Sequence, residues 1–338
     1  MFALGKCCAS PWTSDPRAAT LDGMTSTRDL TRRGFLLSGL AGALTVTAAG
    51  TTGLLVSARP SRAADSLVID AMGDYEIVDR QTGCRVRVTV RDGIRRIVAN
   101  GLPNHATGQF PNSHNPNAIS AQSYDISLPA SPRKASASTA YSIPQPFGIA
   151  LNGVVFDPYA AEWWGGARNG DWQYNALGDG IDLGLDSSHA HVQPTGAYHY
   201  HGMPDGLIDT LSSSRHSPLI GWAGDGFPIY LPQGYKKAKD PTSGLKTLRS
   251  SYILRSGTRP SGPGGTYDGT FEQDYRYKKG AGNLDKANGR TQVTPEYPAG
   301  TYCYILTRSW PVIPRRFVAE IAPSFVTRPG PGPGGPPR

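Results

Sequence analysis

Ala197-Tyr198-His199-Tyr200-His201 is the stretch on which the reading of this chain turns. Aromatic residues favour strands, and successive strand side chains point to opposite faces. The segment is therefore predicted to be extended, with His199 and His201 on one face and Tyr198 and Tyr200 on the other. Just upstream, His189-Ala190-His191-Val192 repeats the one-residue gap, and Gln193-Pro194-Thr195-Gly196 is a turn between the two. A hairpin of that kind sets four imidazoles on one side. His216 follows shortly after, so five of the seven histidines fall between positions 189 and 216.

Working outward, the chain reads as mostly β and loop-rich. It holds 41 Gly and 29 Pro in 338 residues, about a fifth of the total against a usual ~12%, and that density breaks long helices. Cys84-Arg85-Val86-Arg87-Val88-Thr89-Val90-Arg91 alternates with period two, its valines inward; Asp92-Gly93 is a hairpin turn, and Ile94–Val98 returns as the partner. Residues 101–120, with His105 and His114, read as loop, and Tyr124–Leu128 as a short strand. Phe147–Phe156 reads as two buried strands around Asn152-Gly153. Asp157-Pro158 predicts a helical turn or two over Tyr159–Trp164, with Trp163 and Trp164 assigned to the core. The expected architecture is a single antiparallel β sandwich or barrel-like domain with an N-terminal hairpin.

A second turn-then-strand unit appears later. Pro194-Thr195-Gly196-Ala197-Tyr198-His199-Tyr200 matches Pro298-Ala299-Gly300-Thr301-Tyr302-Cys303-Tyr304, with Cys303 in the place of His199 and Ile305 in that of His201. The two units are expected to pair within one sheet. Residues 329–338 are Pro and Gly with one Arg and read as a disordered tail.

The front of the chain is of another kind. Thr31-Arg32-Arg33-Gly34-Phe35-Leu36-Leu37 resembles a twin-arginine (Tat) signal peptide; it is followed by an uncharged run to Val56 and small residues at Ser61-Arg62-Ala63-Ala64. The resemblance implies export in folded form to an extracellular, cell-wall or periplasmic location. Membrane contact is expected only if the apolar run stays uncleaved. The chain is expected to divide into a leader at 1–64, an N-terminal β segment at 65–144, a main domain at 145–325 and a tail at 326–338. Cys7 and Cys8 precede the signal, so Cys84 and Cys303 remain in a processed chain. A disulfide between them is permitted outside the cytoplasm, whereas the inward parity of Cys84 points to a buried free thiol.

The net charge of +8 is shared evenly between the first 64 residues and the rest, with no basic run, so nucleic acid is not an expected partner.

Clustered histidines point to a transition metal. Imidazole is a common ligand of zinc and copper, and His-x-His on a strand aims two rings the same way. The candidate ligands are His191, His199, His201 and His216, with His189 and Cys303 weaker; a thiolate would favour copper or zinc. Asp186 or Asp225 is a candidate to orient a ring. No His-Glu-x-x-His or Cys-x-x-Cys is present, and a hydrogen-bonded Tyr-His network is the competing account. Two further readings stay open: a metal-free hydrolase built on His216, Ser217 and Asp225 with Glu162 as acid or base, and a non-catalytic module for cell-wall or extracellular glycans. Whether the protein is an enzyme stays open too.

Several longer stretches resemble the YHYH-domain protein family: Gly153–Pro158, Ala161–Trp164, Ala190–Pro194, Gly196–His201, His216–Ala223, Asp225–Tyr230, Tyr267–Phe271, Asn288–Arg290, Val293–Tyr297 and Gly300–Tyr302. The resemblance covers about residues 145–320 and implies no established activity. Where this chain has Cys303 the family pattern has His, and where it has His189 the pattern has Asn. The pattern also has Cys at Ala287 and Arg316, so the disulfide it implies is absent here. His191, His199, His201 and His216 fit the pattern.

Overall fold

The computed structural model describes residues 72–166, 170–211 and 216–326. The twin-arginine segment, its cleavage region and the 329–338 tail lie outside the described residues. Four strands, β1 (Tyr75–Val78), β2 (Arg85–Arg91), β3 (Ile94–Ala99) and β4 (Tyr124–Pro129), form an antiparallel meander in chain order. The predicted hairpin is its centre. The inward positions of β2 follow the predicted parity, with Cys84 just before it and Val86 and Val88 buried, while Val90 is only half-buried. On β3 the inward set is Arg95, Ile97 and Ala99, while Ile94 and Val98 face outward. Arg95 is tolerated because its guanidinium lies 4.2 Å from the centre of the buried Trp222 ring, a contact favoured where the cation is desolvated.

The second sheet has eight strands: β5 (Gly148–Ala150), β6 (Val155–Phe156), β7 (Ala190–Val192), β8 (Tyr198–Tyr200), β9 (Leu219–Ala223), β10 (Pro228–Tyr230), β11 (Gly289–Gln292) and β12 (Thr301–Ile305). Their spatial order is β11-β12-β10-β9-β5-β6-β8-β7. Val86, Ile97 and Leu128 from the first sheet share one apolar cluster with Ile149, Trp222, Tyr230, Cys303 and Ile305 from the second. The two sheets thus pack face to face, and neither closes on itself. Burying a side chain such as Ile97 or Ile305 stabilises this contact by ~1.5–3 kcal/mol. The other face of the large sheet carries Phe147, Phe156, Tyr198, Tyr200, Tyr302 and Tyr304 into a second, aromatic cluster with Phe317.

Three sequence expectations need correction. The large sheet is mixed, because β6–β8 and β10–β12 run parallel; each parallel pair is joined by a long excursion, as parallel pairing requires. The two turn-strand units share the sheet but do not pair, because β10, β9, β5 and β6 lie between them. The helix over Tyr159–Trp164 does not form: the Asp157 carboxylate accepts from Tyr141 and Gln193 instead of capping, only a short 3-10 turn occurs at Trp164–Gly166, and Trp164 is 44% exposed. Cys84 and Cys303 are both buried and free. Each thiol turns to a carbonyl of its own neighbourhood, Asn152 and Thr301 respectively, and burial pushes both up to about 12.

Candidate metal centre

β7 and β8 form the predicted hairpin, with His191 directly opposite His199 in the ladder. His201 follows β8 and keeps the parity of His199. The result is three imidazoles whose Nε2 atoms converge: His199 to His201 at 3.0 Å and His201 to His191 at 3.0 Å. Their ring centroids lie 4.6–4.7 Å apart. His199 and His201 are 2% exposed, and His191 forms the partly open edge.

The far sides of the rings fix the tautomers. His191 Nδ1 lies 2.8 Å from the Leu183 carbonyl and His199 Nδ1 lies 3.1 Å from the Ala197 carbonyl. A carbonyl only accepts, so both Nδ1 atoms carry the proton and both Nε2 atoms present lone pairs inward. His201 Nε2 has at most one proton to offer, and it has two Nε2 neighbours. A neutral trio therefore leaves at least one lone pair facing another, which a cation bound between them resolves. Nδ1–H donation to a backbone carbonyl is also how metal-bound histidines are commonly held. A tetrahedral ion at ~2.0–2.1 Å from each nitrogen separates its ligands by roughly 3.3 Å, close to the spacing found.

Burial disfavours the charged form of two of the rings. Burial, then the neighbouring His199, pushes His191 down to about 4. Burial, followed by His199 and His191, holds His201 well below the usual histidine range. A ligand imidazole must be unprotonated, so His191 and His201 are ready without releasing a proton at neutral pH.

The surroundings fix the hairpin. Asp186 Oδ1 accepts from the backbone N–H of Ser188 and Ala190, and Oδ2 accepts from the Tyr198 hydroxyl at 2.6 Å. Asp186 thus locks the entry of β7 to β8 rather than orienting an imidazole. Asn115 from the 101–120 loop donates to the Val192 carbonyl at 2.9 Å and lies 3.3 Å from His191 Nδ1. On the opposite face of β8, His105 Nε2 meets the Tyr200 hydroxyl at 2.7 Å. Those loop contacts had no periodic signal to announce them, only an Asn- and His-bearing stretch.

The remaining sequence candidates lie apart. His189 has φ 53°, which turns its ring away to the Met203 carbonyl and Asp205. His216 packs against Tyr230 and Tyr235, and Cys303 belongs to the inter-sheet core. Among the described residues, His191, His199 and His201 alone form a group with metal-ligand spacing. The hydrolase set does not assemble as a relay. Ser217 Oγ donates to the Pro218 carbonyl, His216 Nδ1 donates to the Ser217 carbonyl, and Asp225 accepts from the Tyr304 hydroxyl and the backbone N–H groups of Val318 and Ala319. Glu162 is exposed. A cleft of about 690 Å³ is walled by Leu183, His189, Arg308, Trp310 and Arg315 among others, and none of His191, His199 and His201 lines it.

No curated protein and no solved structure matches the chain. The model of the family described as YHYH protein matches residues 125–319, from β4 to beyond β12. That span is more than half of the chain and includes the tetrapeptide Tyr198–His201, which supplies His199 and His201: the chain belongs to the YHYH protein family.

Proposed function

We propose that this protein binds a transition metal ion, copper or zinc, through the Nε2 atoms of His191, His199 and His201. The observation that carries the reading is the convergence of three Nε2 atoms, with His201 at 3.0 Å from both His199 and His191. Two of the three rings turn Nδ1 to a carbonyl on the outside, which directs an Nε2 lone pair inward. Three nitrogen ligands leave one position of a tetrahedral ion open, the pattern of catalytic rather than purely structural sites. When bound, the ion would supply a Lewis-acidic centre there. The chain's own residues hold His191 and His201 neutral, fix the tautomers of His191 and His199, and keep His199 and His201 out of water.

The twin-arginine segment supports export of the folded, loaded protein, a fitting route for a site assembled by tertiary packing; replacing Arg32 and Arg33 with Lys and following the protein outside the cytoplasm checks it. For the metal, elemental analysis of full chain purified without an affinity tag is expected to give one copper or zinc per chain. The His199→Ala/His201→Ala variant is expected to give none. Metal-free wild type that still folds, with variants losing only thermal stability, would establish the hydrogen-bond network instead.

A further inference from the structure

The eight-stranded sheet is built twice. Its central pairing, β5 with β9, is antiparallel about Ile149 and Trp222. Outward from it both halves repeat one sequence of pairings: hairpin partner antiparallel, next strand parallel, edge strand antiparallel. The bonds across the centre are reciprocal, Leu151 N–H to the Ile220 carbonyl and Gly224 N–H to the Phe147 carbonyl, both 2.9 Å.

The halves also match residue by residue. The hairpin turns correspond as Asn152-Gly153 and Asp225-Gly226, with Gly153 at φ 80° and Gly226 at φ 87°. Asn152 and Asp225 meet equivalent tyrosine hydroxyls, Tyr200 at 2.9 Å and Tyr304 at 2.6 Å. Asp186 and Asp285 each take two backbone N–H groups on Oδ1 and then the hydroxyls of Tyr198 and Tyr302. The residue before each edge strand is left-handed, His189 at φ 53° and Asn288 at φ 54°. Each gives its carbonyl to the equivalent N–H, His201 and Ile305. A short echo at one turn is thus the visible part of a whole-sheet duplication.

With this correspondence, His191, His199 and His201 map onto Arg290, Cys303 and Ile305. Arg290 stands opposite Cys303 in its ladder just as His191 stands opposite His199. Its Nε donates to Gln292 Oε1 at 2.7 Å and its Nη2 to the Tyr235 carbonyl at 2.8 Å, and Gln292 is the counterpart of Gln193. One half offers three cation-seeking nitrogens; the other half places a permanent cation, part-buried and with two acceptors, at the matching site.

We propose that the second half of the sheet is a latent divalent-metal site in which the Arg290 guanidinium has replaced the ion, so that the chain takes one metal and retains the backbone for two. The reading of Arg290 as the replacement rests on the metal site proposed above, whereas the latent backbone site does not. The test is zinc and cobalt(II) stoichiometry on full chain, by elemental analysis and the visible cobalt band. Arg290→His/Cys303→His/Ile305→His is expected to raise binding from one to two ions. Added to His199→Ala/His201→Ala, the same three changes are expected to raise it from none to one. If wild type binds none while the triple variant binds one, the first-site reading fails and the latent site stands. A cooperatively melting triple variant that binds no more than wild type overturns the proposal. Should the triple variant not fold, the reciprocal exchange decides. His191→Arg/His199→Cys/His201→Ile, with Gln193 as the waiting acceptor, is expected to bind no metal and to melt at or above metal-stripped wild type. A lower melt overturns the proposal.

Discussion

Replacing His199 with Ala separates a metal centre from a hydrogen-bond network by thermodynamics alone. If structural zinc binding is worth ~10–16 kcal/mol over four ligands, each imidazole contributes roughly 3–4 kcal/mol, so the variant should lose affinity by about 10²–10³-fold. An ion present at ~1,000 times its Kd stabilises the folded chain by ~4 kcal/mol, which for a domain of this size is ~8–16 °C of melting temperature. Wild type is therefore expected to drop by about that much when chelator is added, whereas His199→Ala, its ion then at only ~1–10 times Kd, should drop by ~1–6 °C. In the metal-stripped state the substitution has two opposing effects. It removes one of the crowded Nε2 lone pairs, but it opens a small cavity and deprives the Ala197 carbonyl of its donor. The net change there should stay within ~1–2 kcal/mol. Differential scanning calorimetry with and without chelator reads all four states. A wild type insensitive to chelator, with an equal loss in the variant under both conditions, refutes the reasoning.

Other parts of the fold make their own predictions. Arg315 is paired with Glu272 through two 2.9 Å bonds in a buried setting; Arg315→Met is expected to cost ~3–5 kcal/mol in denaturant unfolding by stranding the carboxylate, and adding Glu272→Met to recover much of it. Burial raises the Asp225 carboxyl to about 6, above its unfolded value, so its stabilising contribution is full below pH ~4 and is lost as pH rises through ~6, by roughly 3 kcal/mol. Wild-type stability relative to Asp225→Asn should accordingly fall across that window in pH-dependent urea titrations. Cys84 and Cys303 should resist iodoacetamide in the native protein and both react once it is unfolded, as peptide mass spectrometry would show; protection after unfolding would mean a disulfide.

Local periodicity carried far in this chain. The alternation of Cys84–Arg91, the Asn152-Gly153 turn and the parity of Tyr198–His201 each correspond to an observed element, because each depends only on neighbours. What the sequence could not express was distance. Asp157 looks like a helix cap until Tyr141 and Gln193 claim its oxygens. His189 shares the spacing of His191 yet leaves the group through one left-handed φ. His216 belongs to the same bunch along the chain, but the crossovers of the mixed sheet carry it to Tyr230 and Tyr235. The repeat at Pro298–Tyr304 was legible as seven residues, while the duplication behind it resides in hydrogen bonds that join unlike side chains. Composition likewise pointed to loops, but not to which loop carbonyls would fix the histidine tautomers.

Anomalous diffraction from crystals of the tag-free native protein, recorded at the copper and zinc edges, tests the central claim most directly. A single peak about 2 Å from the Nε2 atoms of His191, His199 and His201 is the predicted result. Density showing these nitrogens bridged only by protons or water, with no anomalous signal after incubation with either metal, would contradict it.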